Sequence, residues 1–481
     1  MTPDDLYHSS CWTPEWVREH TNGTWLVAPS QPSTHLEGIS IDSRTVRQQE
    51  VFWAIKGERF DGHDFVIHAL QKGAAMVVVD RADAVPKDAG GAVLLVDDTI
   101  QAMQRLASSY RDQLRQANCT IIGVVGSNGK TTTRHLIHAV LSTQFRGTQS
   151  PKSFNNHIGV PLTLLRAGLG DRFLVAEAGT NHPGEIAWLG RILRPDAVVV
   201  TCIGLEHVEH LGDIQGVAEE EASITSSIPP EGVVFVEKDA RKHIISASSY
   251  RQPAKLISFG HGRSGAKEVR TLMGRRQRFA IGQGIDVDLP LLAWHDVNNA
   301  LAAVAVGRWM GVHDEKIKQA LEQVTPMPGR LEVKSYGPIT VIDDTYNANP
   351  DSVASAIDVL AEFPIPETGR RVAVLGDMLE LGRWETDAHR EVGRSLARLI
   401  QDGRIHRVFL IGARMDHAAK VLGDADGQIV THHPTLTPTA KSQVVEALRA
   451  GDVVLCKASR GIQLEQMLPA IQDRFREMTA R

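Results

Sequence analysis

The stretch Ile121-Ile-Gly-Val-Val-Gly-Ser-Asn-Gly-Lys-Thr-Thr-Thr133 constrains this chain more than any other. Its apolar, β-branched start reads as a buried strand. Gly126 and Gly129 punctuate a tight turn, and Leu136, Ile137, Val140 and Leu141 mark the inner face of a following helix. A strand, a glycine loop and a helix in that order form a cradle for nucleotide phosphates. Loop N–H groups face inward, the helix beginning near Lys130 adds its positive end, and Lys130 adds a formal charge. Thr131 would offer its hydroxyl to Mg²⁺. The longer loop pattern has glycine where this chain has Val124, so the match is to the shorter G-x-x-G-K-T form, with Gly123 and Gly126 placed to compensate. A plain glycine turn between a strand and a helix is the competing reading. The strand before and the amphipathic helix after favour phosphate.

A length of 481 residues suggests three domains at roughly one per 150 residues, and 42% hydrophobic content supplies cores for them. The net charge of -5, with acids and bases intermixed, indicates no nucleic-acid partner. No apolar run approaches the ~18 residues of a membrane span, and Met1-Thr-Pro-Asp-Asp-Leu-Tyr7 has no basic start before an apolar core. A cytoplasmic protein without membrane insertion is therefore expected, and a monomer. Cys11, Cys119, Cys202 and Cys456 form no C-x-x-C pair and read as small buried or half-buried residues.

The pattern along the chain divides at two places. Residues 1–112 mix short strands (38–42, 51–55, 75–79) with helices, a small α/β domain. Residues 113–325 alternate strand and helix, with strands at 120–126, 173–178, 197–203 and 233–236, which argues for a parallel sheet. Pro326-Met-Pro-Gly329 breaks the pattern and makes a candidate hinge. Residues 326–481 carry strands at 339–342, 372–375, 408–411, 429–431 and 453–455, a second doubly wound, Rossmann-like sheet. The basic run Arg275-Arg-Gln-Arg278 reads as an exposed turn or strand edge.

Mg²⁺ takes hard oxygen ligands, and Glu177 ends an apolar strand at the sheet edge where ligands bind. A capping or merely exposed acid is the alternative. His207 follows the next strand at the same edge, as a ligand or as an ordinary surface histidine. Asp343-Asp344-Thr-Tyr-Asn-Ala-Asn-Pro350 ends the first strand of the last domain, where an acid receives ribose hydroxyls or an Asx turn caps a helix. Arg330, beyond the linker, would reach phosphate or pair with a carboxylate across domains.

With these segments in place, the chain resembles the Mur ligases nearly end to end. The resemblance rests on Ile41-Asp-Ser-Arg44, Phe52–Phe65, Ser153–Thr163, Ala176-Glu-Ala-Gly179, Gly329-Arg-Leu-Glu332, Asp343–Pro350, Leu375–Gly382 and Lys457-Ala-Ser-Arg-Gly461. It implies ATP-driven amide formation through an acyl phosphate, with ATP and Mg²⁺ as cofactors. The implied substrates are UDP-N-acetylmuramoyl-tripeptide and D-alanyl-D-alanine. Residue by residue, it implies phosphate cradling by Gly126, Ser127, Asn128, Gly129, Lys130, Thr131 and Thr132, and Mg²⁺ at Thr131, Glu177 and His207. It places His295 and Asn299 near adenine, and Arg330 and Asp344 on phosphate and ribose. Ser43 and Arg44 fall in the uridine-nucleotide segment, Asn155 and Asn156 on the substrate side, and Tyr346, Asn347 and Glu380 where the dipeptide is held.

The chain departs from the family where Glu221 stands at the position of a lysine, carbamylated in well-studied relatives. A carbamate is a carboxylate on a long arm, so Glu221 is expected to serve as a metal or water-shell ligand and to join Lys130, Glu177 and His207 in catalysis. A solvated acidic helix face is the alternative. Cys202, Glu206 and Asp296 are further departures. Two other readings compete: a ligase adding the third stem residue, whose D-N-P-R signature is absent here, and an ATP-binding regulatory module without catalysis.

Overall fold

The computed structural model describes residues 12–57, 59–85, 90–260, 269–272, 276–282, 284–423 and 429–479. Cys11 and Arg275 lie outside them. Three α/β layers follow one another along the chain. The first sheet runs Thr24–Val27, Ala92–Leu95, Met76–Val79, Glu50–Trp53, Gly38–Ser40, with only the first pair antiparallel.

The central sheet is parallel throughout, in the order Lys255–Phe259, Val233–Glu237, Ala197–Val200, Thr120–Val125, Phe173–Glu177, Gly147–Gln149. Its strands are continuous apolar runs because helices cover both faces: Phe173–Glu177 and Ala197–Val200 are buried at every position. The chain leaves Thr120–Val125 toward one side first and the other side later. That strand is therefore the switch point, and ligands bind beyond its carboxyl end.

The third sheet has the order Glu332–Tyr336, Ile339–Asp344, Val453–Lys457, Arg371–Gly376, Arg407–Ile411, Val430–His433, parallel except for its first pair. Long-range pairing explains what sequence pattern missed. Thr24–Val27, Gly147–Gln149 and Glu332–Tyr336 are short or half-exposed strands that exist because a neighbour supplies the ladder.

Two readings change. The run Arg276-Gln-Arg278 lies in the middle strand, Arg276–Ile281, of a three-stranded antiparallel sheet rather than at an edge. Gln277 is buried and donates from Nε2 to Leu292 O, while Arg278 pairs with Asp288 across the strands. The expected boundary at 112/113 falls inside one helix, Thr99–Gln116. That helix belongs to both neighbours: Thr99 O accepts the Trp53 indole N–H, Tyr110 donates to Ala167 O, and Arg111 donates to Leu193 O, Arg194 O and Asp196. One apolar core, including Trp53, Leu106, Leu164 and Leu193, joins the two domains.

Arg111 is 1% exposed, and its removal takes a donor from two carbonyls and a charge partner from the Asp196 carboxylate, which keeps Ile121 N. Arg111→Met is expected to cost about 3 kcal/mol, read as a lowered unfolding midpoint in thermal denaturation.

Candidate active site

The loop between Thr120–Val125 and the helix Lys130–Ser142 turns on two left-handed glycines, Gly126 (φ 121°) and Gly129 (φ 79°). A Cβ on Gly126 would stand 2.4 Å from Thr201 Oγ1 and 2.9 Å from Cys202 O; one on Gly129 would stand 2.4 Å from Asn299 Oδ1. Gly123 takes no part in the turn, because it lies within the strand. The first half of the loop is tied to a neighbouring helix and to the segment after the strand Ala197–Val200. Gly126 N donates to Glu221 Oε2 (2.9 Å), Ser127 N to Cys202 O (3.0 Å) and Asn128 N to Cys202 Sγ (3.2 Å). The groups left to meet phosphate are the N–H donors of the first helical turn, from Lys130 to Thr132, beside a Lys130 ammonium whose own donors are engaged.

Lys130 Nζ donates to Gly126 O (2.6 Å), Ser127 O (3.3 Å) and Glu206 Oε2 (3.1 Å). Burial works against its charge, but Glu206, Glu221 and Glu177 outweigh burial and raise its pKa. Glu221 is 2% exposed. Burial pushes its carboxyl up to about 7, against the pull of Lys130. Its carboxylate anchors the loop from beneath and does not line the open cleft, so its placement speaks against the expected metal-ligand role. Burial likewise pushes the Cys202 thiol up to about 12.

Glu177 is buried at the end of its strand, where Oε2 accepts from Thr131 Oγ1 (2.9 Å) and Oε1 from Asn155 Nδ2 (3.0 Å). Asn156 instead caps the next helix through Ile158 N and Gly159 N. Arg134, which pattern reasoning missed because it faces inward on the loop's own helix, lies 3.8 Å from Glu177. Thr131 and Glu177 offer hard oxygens beside the helix end, which fits Mg²⁺ held by one carboxylate, phosphates and water. Thr131, Glu177, His207 and Glu221 do not converge as one set. Among the described residues, no cluster of three or more His, Cys, Asp or Glu could hold a metal alone. His207 turns to Glu380 of the third domain through Nδ1, with Nε2 3.6 Å from Glu206.

The third domain closes over the loop. Arg330 donates to Thr131 Oγ1 (2.9 Å) and lies 4.3 Å over the Tyr346 ring; Asn349 Nδ2 donates to Asn128 Oδ1 (2.7 Å). Asp344 accepts from Lys457 Nζ (2.6 Å), which also reaches Asn347 O (2.9 Å). Lys457 is buried, and only the pairing of Ile339–Asp344 with Val453–Lys457 brings it there. His295 meets Ser355 Oγ (3.0 Å), and Asn299 accepts from Thr133 Oγ1 (3.1 Å). Asn299 thus braces two helices from a position on the cleft wall. The result is one cleft of about 1250 Å³, lined by the loop, Thr132, Asn155, Asn156, Glu177, His207, His295, Asn299, Arg330, Asp344, Tyr346, Asn347 and Glu380.

Three family patterns cover this framework: the Mur ligase family catalytic domain at residues 35–111, the Mur ligase middle domain at 124–307 and the Mur ligase glutamate ligase domain at 329–460. The chain is 36% identical to UDP-N-acetylmuramoyl-tripeptide--D-alanyl-D-alanine ligase of Bacillus subtilis, over 94% of this chain and 96% of that one. The chain belongs to the Mur ligase family. The Escherichia coli protein of the same name is 31% identical over 91% and 94% of the two chains. A crystal structure of MurF from Acinetobacter baumannii superposes with a TM-score of 0.81 at 30% identity, covering 97% of this chain and all of that one. MurF of Thermotoga maritima in complex with ADP gives 0.73 at 27% identity, over 92% and 98%.

Two expected contacts of this Mur ligase lie outside the large cleft. Ser43 is buried in the first domain. Arg44 pairs with Asp42 (2.7 Å), and the Arg44 guanidinium holds the Asp42 carboxyl down at about 2. No helix among the described residues is long and apolar enough to cross a membrane.

Gly126→Ala is expected to abolish nucleotide binding by calorimetry while circular dichroism stays unchanged, since the Cβ can be seated only by deforming the loop. Glu221 generates a pH signature. Its folded pKa, about 7, stands above the ordinary 4.5, so the folded chain holds the proton more tightly and this group's contribution to stability falls as pH rises from about 4.5 through 7. Glu221→Gln, fixed in the uncharged form, removes that decline. The variant's melting temperature relative to the parent should climb between pH 5 and 8.

Proposed function

We propose that this Mur ligase joins the terminal carboxylate of UDP-N-acetylmuramoyl-tripeptide to the amine of D-alanyl-D-alanine. The products are UDP-N-acetylmuramoyl-pentapeptide, ADP and phosphate, and the chain works as a cytoplasmic monomer. The names of its relatives, matched over nine-tenths of both chains, support the substrates. The observation that carries the chemistry is Arg330 of the third domain lying on Thr131 of the phosphate loop. This contact puts a second cation at the same helix end as Lys130.

A carboxylate resists amines because its oxygen leaves as a charged group. An oxygen of the tripeptide carboxylate attacks the γ-phosphorus, the bond to ADP breaks, and the acyl phosphate carries a phosphate leaving group. The neutral amine then attacks the carbonyl carbon, the C–O bond breaks, phosphate departs and the nitrogen gives up a proton. Lys130 and Arg330 stabilise charge on the transferring phosphoryl group, and the first-turn N–H donors hold its neighbours in line. Thr131 and Glu177 would hold Mg²⁺, which when bound screens the phosphate oxygens. Asn155 fixes the Glu177 carboxylate, while Tyr346, Asn347 and Glu380 line the side from which the dipeptide would enter.

Phosphate release should require UDP-N-acetylmuramoyl-tripeptide and D-alanyl-D-alanine together with ATP, and mass spectrometry should find the pentapeptide. Lys130→Met should lower kcat by about 10²–10³-fold. ATP consumption without a new peptide bond would refute the assignment.

A further inference from the structure

Lys130 has no donor to spare. Its three contacts are two carbonyls of its own loop and the carboxylate of Glu206, whose side chain is 13% exposed and lines the cleft. Glu206 therefore lies where the charge of a nucleotide phosphate must come, and two anions cannot share one ammonium without repelling each other. Its other neighbour is His207. Oε1 of Glu206 is 3.6 Å from His207 Nε2, and the second ring nitrogen of His207 contacts Glu380. The backbone repeats that contact, Glu209 N donating to Glu380 O at 3.2 Å, and Gly382 packs close enough that its Cβ would stand 3.0 Å from Glu209 Cα. Lys130, Glu206, His207 and Glu380 thus form a row of charged and polar groups, alternating base and acid, from the phosphate loop to the third domain.

We propose that Glu206 is an exchangeable counterion, a positioning residue that holds Lys130 until phosphate arrives and then passes to His207. Released from Lys130, the carboxylate has His207 as the next group within reach. Nucleotide entry thereby reinforces the His207–Glu380 contact and the seating of the third domain. The inference rests on the nucleotide-site reading above but not on the identity of the peptide substrates, so its test uses ADP alone.

The experiment measures ADP affinity by calorimetry in EDTA and in Mg²⁺ for the full chain and for Glu206→Ala and Glu206→Gln. Loss of the competing charge should tighten metal-free ADP binding by about tenfold in Glu206→Ala. Glu206→Gln, which keeps the hydrogen bond to Lys130 without the charge, should fall between the two. Hydrogen exchange supplies the second readout. ADP should slow exchange at the Glu209 amide in the parent chain and leave it unchanged in Glu206→Ala. Unchanged or weaker ADP binding in Glu206→Ala, with circular dichroism intact, would overturn the proposal, and weakening confined to Mg²⁺ would make Glu206 a metal ligand instead. Equal protection of Glu209 in both chains would overturn the coupling to the third domain.

Discussion

The Lys130 ammonium is largely buried at the point where three segments deliver carboxylates: Glu177 from a strand end, Glu206 from the turn after a strand on the other side of Thr120–Val125, and Glu221 from the helix Ile214–Ala222. None of these charges is tolerable there alone, because leaving water costs a buried ion several kcal/mol before any partner is counted. Together they offset one another, and each then does a separate task. Glu221 ties down the first N–H of the loop, Glu177 receives the Thr131 hydroxyl, and Glu206 occupies the ammonium on its cleft side. Loop geometry is therefore held by charge pairing and by the sheet beneath it before any nucleotide is present. This preorganisation lets the helix end act on a phosphoryl group without first being assembled.

The two joints between domains are built differently. The first and second domains share one apolar core and a helix that belongs to both. The third meets the second through a smaller apolar seam around Val208, Val217 and Leu381, and through polar contacts of which several land on the site: Arg330 on Thr131, Asn349 on Asn128 and Ser355 on His295. Apolar burial is non-directional and fixes a platform; hydrogen bonds between short polar side chains can break and re-form. The site is complete only while the third domain is seated, which suits a reaction that must gather three substrates and exclude water.

What was legible in the sequence follows the range of the physics behind each feature. Local pattern identified the phosphate loop, the parallel strands of the central and third sheets and the break at Pro326-Met-Pro-Gly329, because buried strands and glycine turns are written in neighbouring residues. Strand-end reasoning placed Glu177 correctly in space, since a parallel sheet gathers its carboxyl ends. It did not show that Gly126, Ser127 and Asn128 give their N–H groups to Glu221 and Cys202, because that depends on elements 74 to 95 residues away. Lys457 stood in a family motif, but its partner escaped notice for the same reason: it is 113 residues from Asp344 in sequence and hydrogen-bonded to it in the fold. For Glu221 the analogy of a carboxylate for a carbamate set the expectation, but it carried no information on where the side chain lies in the fold. The carboxylate stops beneath the loop, where it accepts from Gly126 N.

The segment joining the second and third domains carries its own mark of how tightly the seated arrangement is specified. Gly329 has a φ of 69°, and two residues later Leu331, a branched and buried side chain, holds a φ of 51°. A left-handed leucine costs roughly 1–2 kcal/mol relative to ordinary backbone, so the surroundings must over-determine it. They do so on three sides: Leu331 N donates to Asp344 Oδ1, Gly329 N donates to Glu332 Oε2, and the Leu331 side chain is buried in the apolar cluster that includes Val208, Ile342 and Ala348. Asp344 is in turn held by Lys457. Arg330 lies between the two left-handed residues, so the backbone conformation that looks unfavourable in isolation is the one that aims its guanidinium at Thr131. Straightening either residue would turn the Arg330 guanidinium away from the phosphate loop. The strain therefore persists for the position it gives one cation, and the Asp344–Lys457 pair, remote in sequence from the phosphate loop, belongs to the machinery that keeps that cation in place.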